Sequence, residues 1–130
     1  SSNNGEMVHV INYATSEDGN CCEPQGLAIP YEIGVAQAFS KPCVVKTKNG
    51  YHMWFSYRSG TGTPYRLVYA FSLDGVSWNR EQSNLTVSSG EWDKEMVCYP
   101  YVFKHKNVWY MLYNGDRYGL EGFGLATAKP

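Results

Sequence analysis

The sequence runs to 130 residues, enough for one domain with its own core, and its composition (43% apolar, 18% charged) is that of a globular chain. A formal net charge of −1 argues against nucleic-acid binding, and no apolar run approaches the ~20 residues a membrane span needs. No signal peptide is visible, so the expected compartment is the cytoplasm.

Aromatics make up 15% of the chain, 11 of them Tyr, and with 13 Gly they favour strands and turns over helices. The opening SSNNG carries no fold information. From Tyr13 the stretch YATSEDGNCC reads as a strand end running into an Asp-Gly turn, with Cys21 and Cys22 in the turn. Strands are then expected at Pro42–Thr47, Tyr51–Tyr57, Tyr65–Ser72 and Ser77–Arg80. Lys48-Asn49-Gly50 and Asp74-Gly75 supply hairpin turns, and Arg58 to Pro64 forms a longer loop. A last pair of strands, Met96–Lys104 and Val108–Tyr113, is joined by a turn at His105–Asn107 and followed by the glycine-punctuated loop NGDRYG. Cys43 and Cys98 fall in apolar strands and read as reduced core thiols. With no C-x-x-C and with His9, His52 and His105 scattered, neither a metal nor another cofactor is expected. The sequon at Asn84-Leu85-Thr86 has meaning only in a secreted eukaryotic protein.

The chain repeats itself. KPCVVKTKNGYHMWFSY from Lys41 aligns without a gap on YPYVFKHKNVWYMLYNG from Tyr99, so that Pro42 and Pro100 stand 58 residues apart. Continued in the same register, this places Leu67 on Leu125 and Ala70 on Ala128. YATSEDGNCC matches YAFSLDGVSW from Tyr69 at a spacing of 56, with Cys22 where Trp78 stands. The units are the end of one at residues 7–36, a complete one at 37–90 and most of another at 91–130. In the second strand of the complete unit Tyr51, Met53, Phe55 and Tyr57 oppose His52, Trp54 and Ser56, so both faces carry large apolar groups. A sheet covered on both sides by sister sheets fits that pattern. The expected fold is all-β: four-stranded antiparallel β-propeller blades, about two and a half of them, in a single partial domain.

SLDGVSW (Ser72–Trp78), GEWDKEMVCYPYVF (Gly90–Phe103), WYMLYNG (Trp109–Gly115) and GFGLA (Gly122–Ala126) resemble the five-bladed β-propeller glycosidases. The resemblance is to bacterial proteins grouped with glycoside hydrolase families 43 and 32, and it covers nearly the whole chain. It implies half of a five-bladed ring, a funnel lined by the innermost strand of each blade, and three catalytic carboxylates spread over different blades. Of those, the resemblance supplies a counterpart only for the acid, Glu95. Two and a half blades do not close a ring, so the chain is either a fragment of a longer protein or a short product completed by copies of itself; self-association is the favoured expectation, and open strand edges invite such pairing.

Glycoside hydrolysis needs an acid and a second carboxylate about 5–10 Å away. Asp93 and Glu95, two residues apart, share a face if the segment is extended, some ~6–7 Å from each other. Turn capping by Asp93 and ion pairing by Glu95 are the structural alternatives. Tyr57, Arg58, Trp92, Tyr99, Tyr113 and Tyr118 fall near the strand ends that would face the funnel and could stack on sugar rings, or could pack between blades. Asp116 and Arg117 lie in the loop at the funnel mouth, either as substrate contacts or as a solvated ion pair. The expected ligand is a carbohydrate. The leading function is a carbohydrate-binding, glycoside hydrolase-like propeller; the alternatives are a non-catalytic lectin-like module and a structural or interaction propeller.

Overall fold

The computed structural model describes residues 7–82 and 85–129, so SSNNG and Asn84 of the sequon lie outside the described residues. Strands account for 52% of the chain and helix for 3%. In order the elements are β1 (Asn12–Thr15), β2 (Glu23–Leu27), β3 (Ala38–Thr47), β4 (Gly50–Arg58), β5 (Arg66–Ser72), β6 (Asn79–Gln82), β7 (Cys98–His105), β8 (Val108–Asn114), the single turn α1 (Asp116–Gly119) and β9 (Phe123–Ala128). They form three antiparallel sheets in which each strand pairs with the next: β1-β2, β3-β4-β5-β6 and β7-β8-β9. These are a partial blade, a complete blade and a three-stranded blade.

The strands follow the hydrophobic alternation, and their ends follow the turn chemistry. Lys106 and Asn107 are both left-handed, as a two-residue hairpin turn between β7 and β8 requires. β3 starts at Ala38 rather than Pro42, because a bulge between Ser40 and Cys43 lets pairing continue past the proline. β7 carries the matching bulge between Cys98 and Tyr101. The Asp-Gly turns are also built twice. Ser72 Oγ donates to Asp74 Oδ1 at 2.9 Å, and that oxygen accepts the Val76 and Ser77 amides at 2.9 and 2.8 Å. Ser16 and Asp18 make the same bonds, with the amides of Asn20 and Cys21.

The ladders correct one alignment. Met53 pairs with Ala70 and Met111 with Ala126, while Ser56 pairs with Leu67 and Asn114 with Phe123. Ala70 therefore corresponds to Ala126, not Ala128, and Leu67 to Phe123, not Leu125. The spacing changes from 58 to 56 because the paired positions Ser56 and Leu67 lie 11 residues apart in sequence, whereas their counterparts Asn114 and Phe123 lie 9 apart.

The blades bury their faces against one another. Between the first and second, Ile11, Ile29, Phe39, Met53, Phe55 and Ala70 form one apolar cluster. Between the second and third, Leu67, Val97 and Tyr113 are buried, with Leu85, Met111 and Ala126 packed on them. Each of the second set stands 56 or 58 residues after a member of the first, so the two interfaces are copies. Cys43 joins this contact, its sulfur meeting the Val102 amide at 3.2 Å. All four cysteines are free, and burial pushes the Cys98 thiol up to about 11.

Backbone amide bonds first, then the Ser72 hydroxyl, hold Asp74 down from 3.8 to about 2. A carboxylate depressed by folding stabilises fully above its unfolded pKa, and that contribution is lost as pH falls through the folded one. Asp74→Ala is expected to lower Tm at neutral pH, with the gap to wild type narrowing as the pH approaches 2. Thermal melts across that range check it; a gap that stays constant would contradict the turn's role.

Candidate functional site at the bulged strand ends

Both bulges place a non-glycine residue in the left-handed region just before proline: Lys41 at φ 53° and Tyr99 at φ 58°. Such residues cost about 1–3 kcal/mol each and persist only where their surroundings hold them. For Tyr99 the hold is visible. Its amide donates at 2.7 Å to Oγ of Ser56, a fully buried residue of the neighbouring blade.

The strain turns Tyr99 into a cluster of rings. Its ring centroid lies 6.0 Å from Tyr118, stacked at 27°, and 6.2 Å from Tyr65, which is itself 6.2 Å from Tyr118. Two cations cover the group: Lys41 Nζ is 5.9 Å from the Tyr99 centroid and the Arg58 guanidinium 5.4 Å from that of Tyr65. Burial, then Cys98, Tyr65 and Tyr118, push the Tyr99 phenol above its usual range, and Arg58 opposes them. Tyr118 is half exposed, held at φ 60° in the irregular turn α1. The ring cluster therefore has one wet face.

Glu95 sits beside it. Arg66 Nη1 donates to the carbonyl of Tyr65 at 3.0 Å and to that of Glu95, tying the strand of one blade to the loop of the next. Asp116 Oδ1 accepts the amides of Glu95 and Met96 at 2.9 and 2.8 Å. Burial works to raise the Asp116 carboxyl, but these amide bonds outweigh it and hold the group below its ordinary range. The Glu95 side chain is exposed and makes no hydrogen bond or ion pair among the described residues.

The two carboxylates expected to share a face are separated. Residues 91–95 bend rather than extend. Asp93 is only 3% exposed, its oxygens taken by the hydroxyls of Ser88 and of Tyr113, the latter at 3.2 Å. Trp92 lies within the bend. Its ring stacks on Tyr113 at 5.8 Å and lies against Gly115 and Gly124, where a side chain would strike the indole. Tyr57 packs against the core cluster of the first interface. Arg117 pairs with Glu121 on the surface.

The structure thus gathers Arg58, Tyr99 and Tyr118 around Tyr65, ties the backbone of Glu95 to that cluster through Arg66 and to Asp116, and engages Asp93, Trp92 and Tyr113 with one another. Sequence reasoning left out Lys41 and Tyr65. Lys41 had a signal, since it stands where Tyr99 stands, one residue before the repeated proline. Among the described residues no three His, Cys, Asp or Glu side chains gather as a metal site would require.

No family model matches the chain. Two uncharacterized proteins of Mycobacterium tuberculosis, MT1551 and Rv1502, are 42% and 41% identical to it over 127 residues. Those alignments take in 95% of this chain but only 42% of each relative's length. Among solved structures, Zg3597, a family 117 glycoside hydrolase of the marine bacterium Zobellia galactanivorans, superposes with a TM-score of 0.77 at 24% identity, over 93% of this chain and 38% of that one. A second solved structure, of a protein described as a glycoside hydrolase, gives 0.70 at 22%, over 90% and 35%. The fold is that of glycosidase-like β-propellers.

Ser56→Ala is expected to leave the Tyr99 amide unpaired at a cost of about 1–3 kcal/mol. Ser40→Ala is expected to cost less, because the Ser40 hydroxyl is buried without a partner among the described residues. Urea unfolding of both variants compares them directly. Gly115→Ala, which drives a methyl into the Trp92 carbonyl, is expected to lose about 1–3 kcal/mol in the same measurement.

Proposed function

We propose that the chain contributes part of a carbohydrate-binding funnel on a glycosidase-type propeller, with Glu95 as general acid of a glycoside-hydrolysing site. The supporting observation is the ring cluster of buried Tyr65, Tyr99 and half-exposed Tyr118, covered by Lys41 and Arg58, with the backbone of Glu95 tied to Tyr65 through Arg66 and its side chain exposed. Aromatic faces bind the apolar C–H faces of sugar rings, and the neighbouring cations and carboxylate reach their hydroxyls or acid groups. The kinship of the motifs with glycoside hydrolase families 43 and 32 belongs to the same reading.

Hydrolysis needs a second carboxylate about 5–10 Å from the acid. Asp93 is engaged with Ser88 and Tyr113, and the chain spans about two fifths of its curated relatives. In this proposal the partner carboxylates come from further blades, supplied when copies of the chain assemble. The sequestration of Asp93 also favours a second reading, in which the face binds sugars without cleaving them.

Glycan-array binding and aryl-glycoside turnover by the assembled protein separate the two. Under the catalytic reading Glu95→Gln abolishes turnover while leaving binding within a few-fold. Under the binding-only reading no variant has turnover to lose, and Tyr118→Ala weakens glycan binding by ~10-fold or more. Glycan binding untouched by Tyr118→Ala and Tyr99→Ala would remove the ring cluster from the site.

A further inference from the structure

The bulge of β3 carries a cation that its packing does not call for. Lys41 is exposed and makes no hydrogen bond or ion pair among the described residues; its ammonium lies over the Tyr99 ring. The counterpart in the next blade is Tyr99 itself, uncharged, so the bulge as such needs no lysine. The backbone nevertheless holds Lys41 at φ 53°. Strain of this kind gathers where a fold aims a side chain at a ligand.

A second cation, Arg58, lies over Tyr65 and is felt at Tyr99 as well, where it opposes the burial that raises the phenol. The acids of the adjoining loops do not neutralise Lys41. Asp116 is buried and accepts the amides of Glu95 and Met96, and Glu121 pairs with Arg117. Glu95 is exposed and makes no ion pair with Lys41.

The energetics of the ammonium then favour a particular kind of ligand. Over an exposed ring it gains a weak cation–π contact, whereas a charge-assisted hydrogen bond to a carboxylate or sulfate is stronger. The lysine stem is flexible, so an anion arriving at the cluster can draw the ammonium off Tyr99 while the ligand's own ring lies on half-exposed Tyr118. A neutral sugar offers only hydroxyls and gains less from the charge.

We infer that the tyrosine cluster selects an anionic sugar unit, a uronate or a sulfated hexose, with Lys41 taking the acid group and the rings taking the sugar face. The inference rests on the carbohydrate reading of the same cluster and adds the class of sugar.

The test is a glycan array printed in matched sets: a neutral hexose oligosaccharide, the same with a hexuronate in place of the hexose, and its sulfate ester. The 130-residue chain is expected to bind an acidic member at least ~10-fold more tightly than its neutral partner, an advantage that shrinks as salt is raised. Lys41→Met, which keeps most of the stem, is expected to remove the advantage, and Lys41→Arg to retain most of it, with circular dichroism confirming both folds. Lys48→Met, which removes the same charge beyond the far end of β3, is expected to change nothing. Preference for the uronate alone or the sulfate alone supports the proposal and names the acid. Equal binding of neutral and acidic members overturns it and leaves the carbohydrate reading standing. An acidic preference that survives Lys41→Met overturns it too, by placing the anion elsewhere. Absence of binding to every glycan overturns both readings together.

Discussion

A four-stranded sheet with large apolar groups on both faces has no stable solvated form; it needs a neighbour on each side. Everything else in this protein follows from that requirement. Phe39, Met53 and Phe55 of the second blade meet Ile11 and Ile29 of the first, and Val97, Met111 and Tyr113 of the third meet Leu67 and Leu85 of the second. The ladders within each blade are local, but stability resides in the contacts between blades, which makes the molecule quasi-one-dimensional.

The candidate site exists because those contacts are also rigid. A left-handed residue before proline would relax in a free strand. Here Tyr99 is fixed by a buried serine of the adjacent blade, and its ring is caught between Tyr65 and Tyr118. Glu95 is held by its backbone, through Asp116 on one side and Arg66 on the other, so that its side chain is left to solvent. Trp92, stacked on Tyr113, fills a slot that Gly115 and Gly124 keep open. The polar groups that reach the surface rest on packed ones that do not.

Much of the fold was legible because it is punctuated twice. The repeated proline, the Asn and Gly of the hairpin turns and the Ser-x-Asp-Gly turn each impose backbone geometry by local chemistry, so their recurrence fixes strands and blades. The register of β9 was less legible, since Leu125 and Ala128 offer a plausible match to Leu67 and Ala70 and only the ladder reveals that the spacing has fallen by two. For the site, residue type was informative and direction was not. Spacing puts Asp93 and Glu95 on one face of an extended segment, but that segment bends and Asp93 is turned inward to Tyr113. Trp92 and Tyr113 have the composition of a sugar platform, yet they stack on each other. Tyr65 joined the site through tertiary contacts that no local pattern encodes, whereas Lys41 could be found through the repeat that aligns it with Tyr99.

On the outer face of the third blade Tyr101, Phe103, Leu112 and Leu125 are cross-paired and exposed among the described residues. In a stack held together by nearest neighbours, protection is greatest where both faces are walled, so amide exchange should be slowest in β4. Lys41, Arg58 and Tyr65 belong to the second blade, Tyr99 and Tyr118 to the third. A ligand bound across those rings adds its binding free energy to the contact between the two blades, and so acts as a clasp on them.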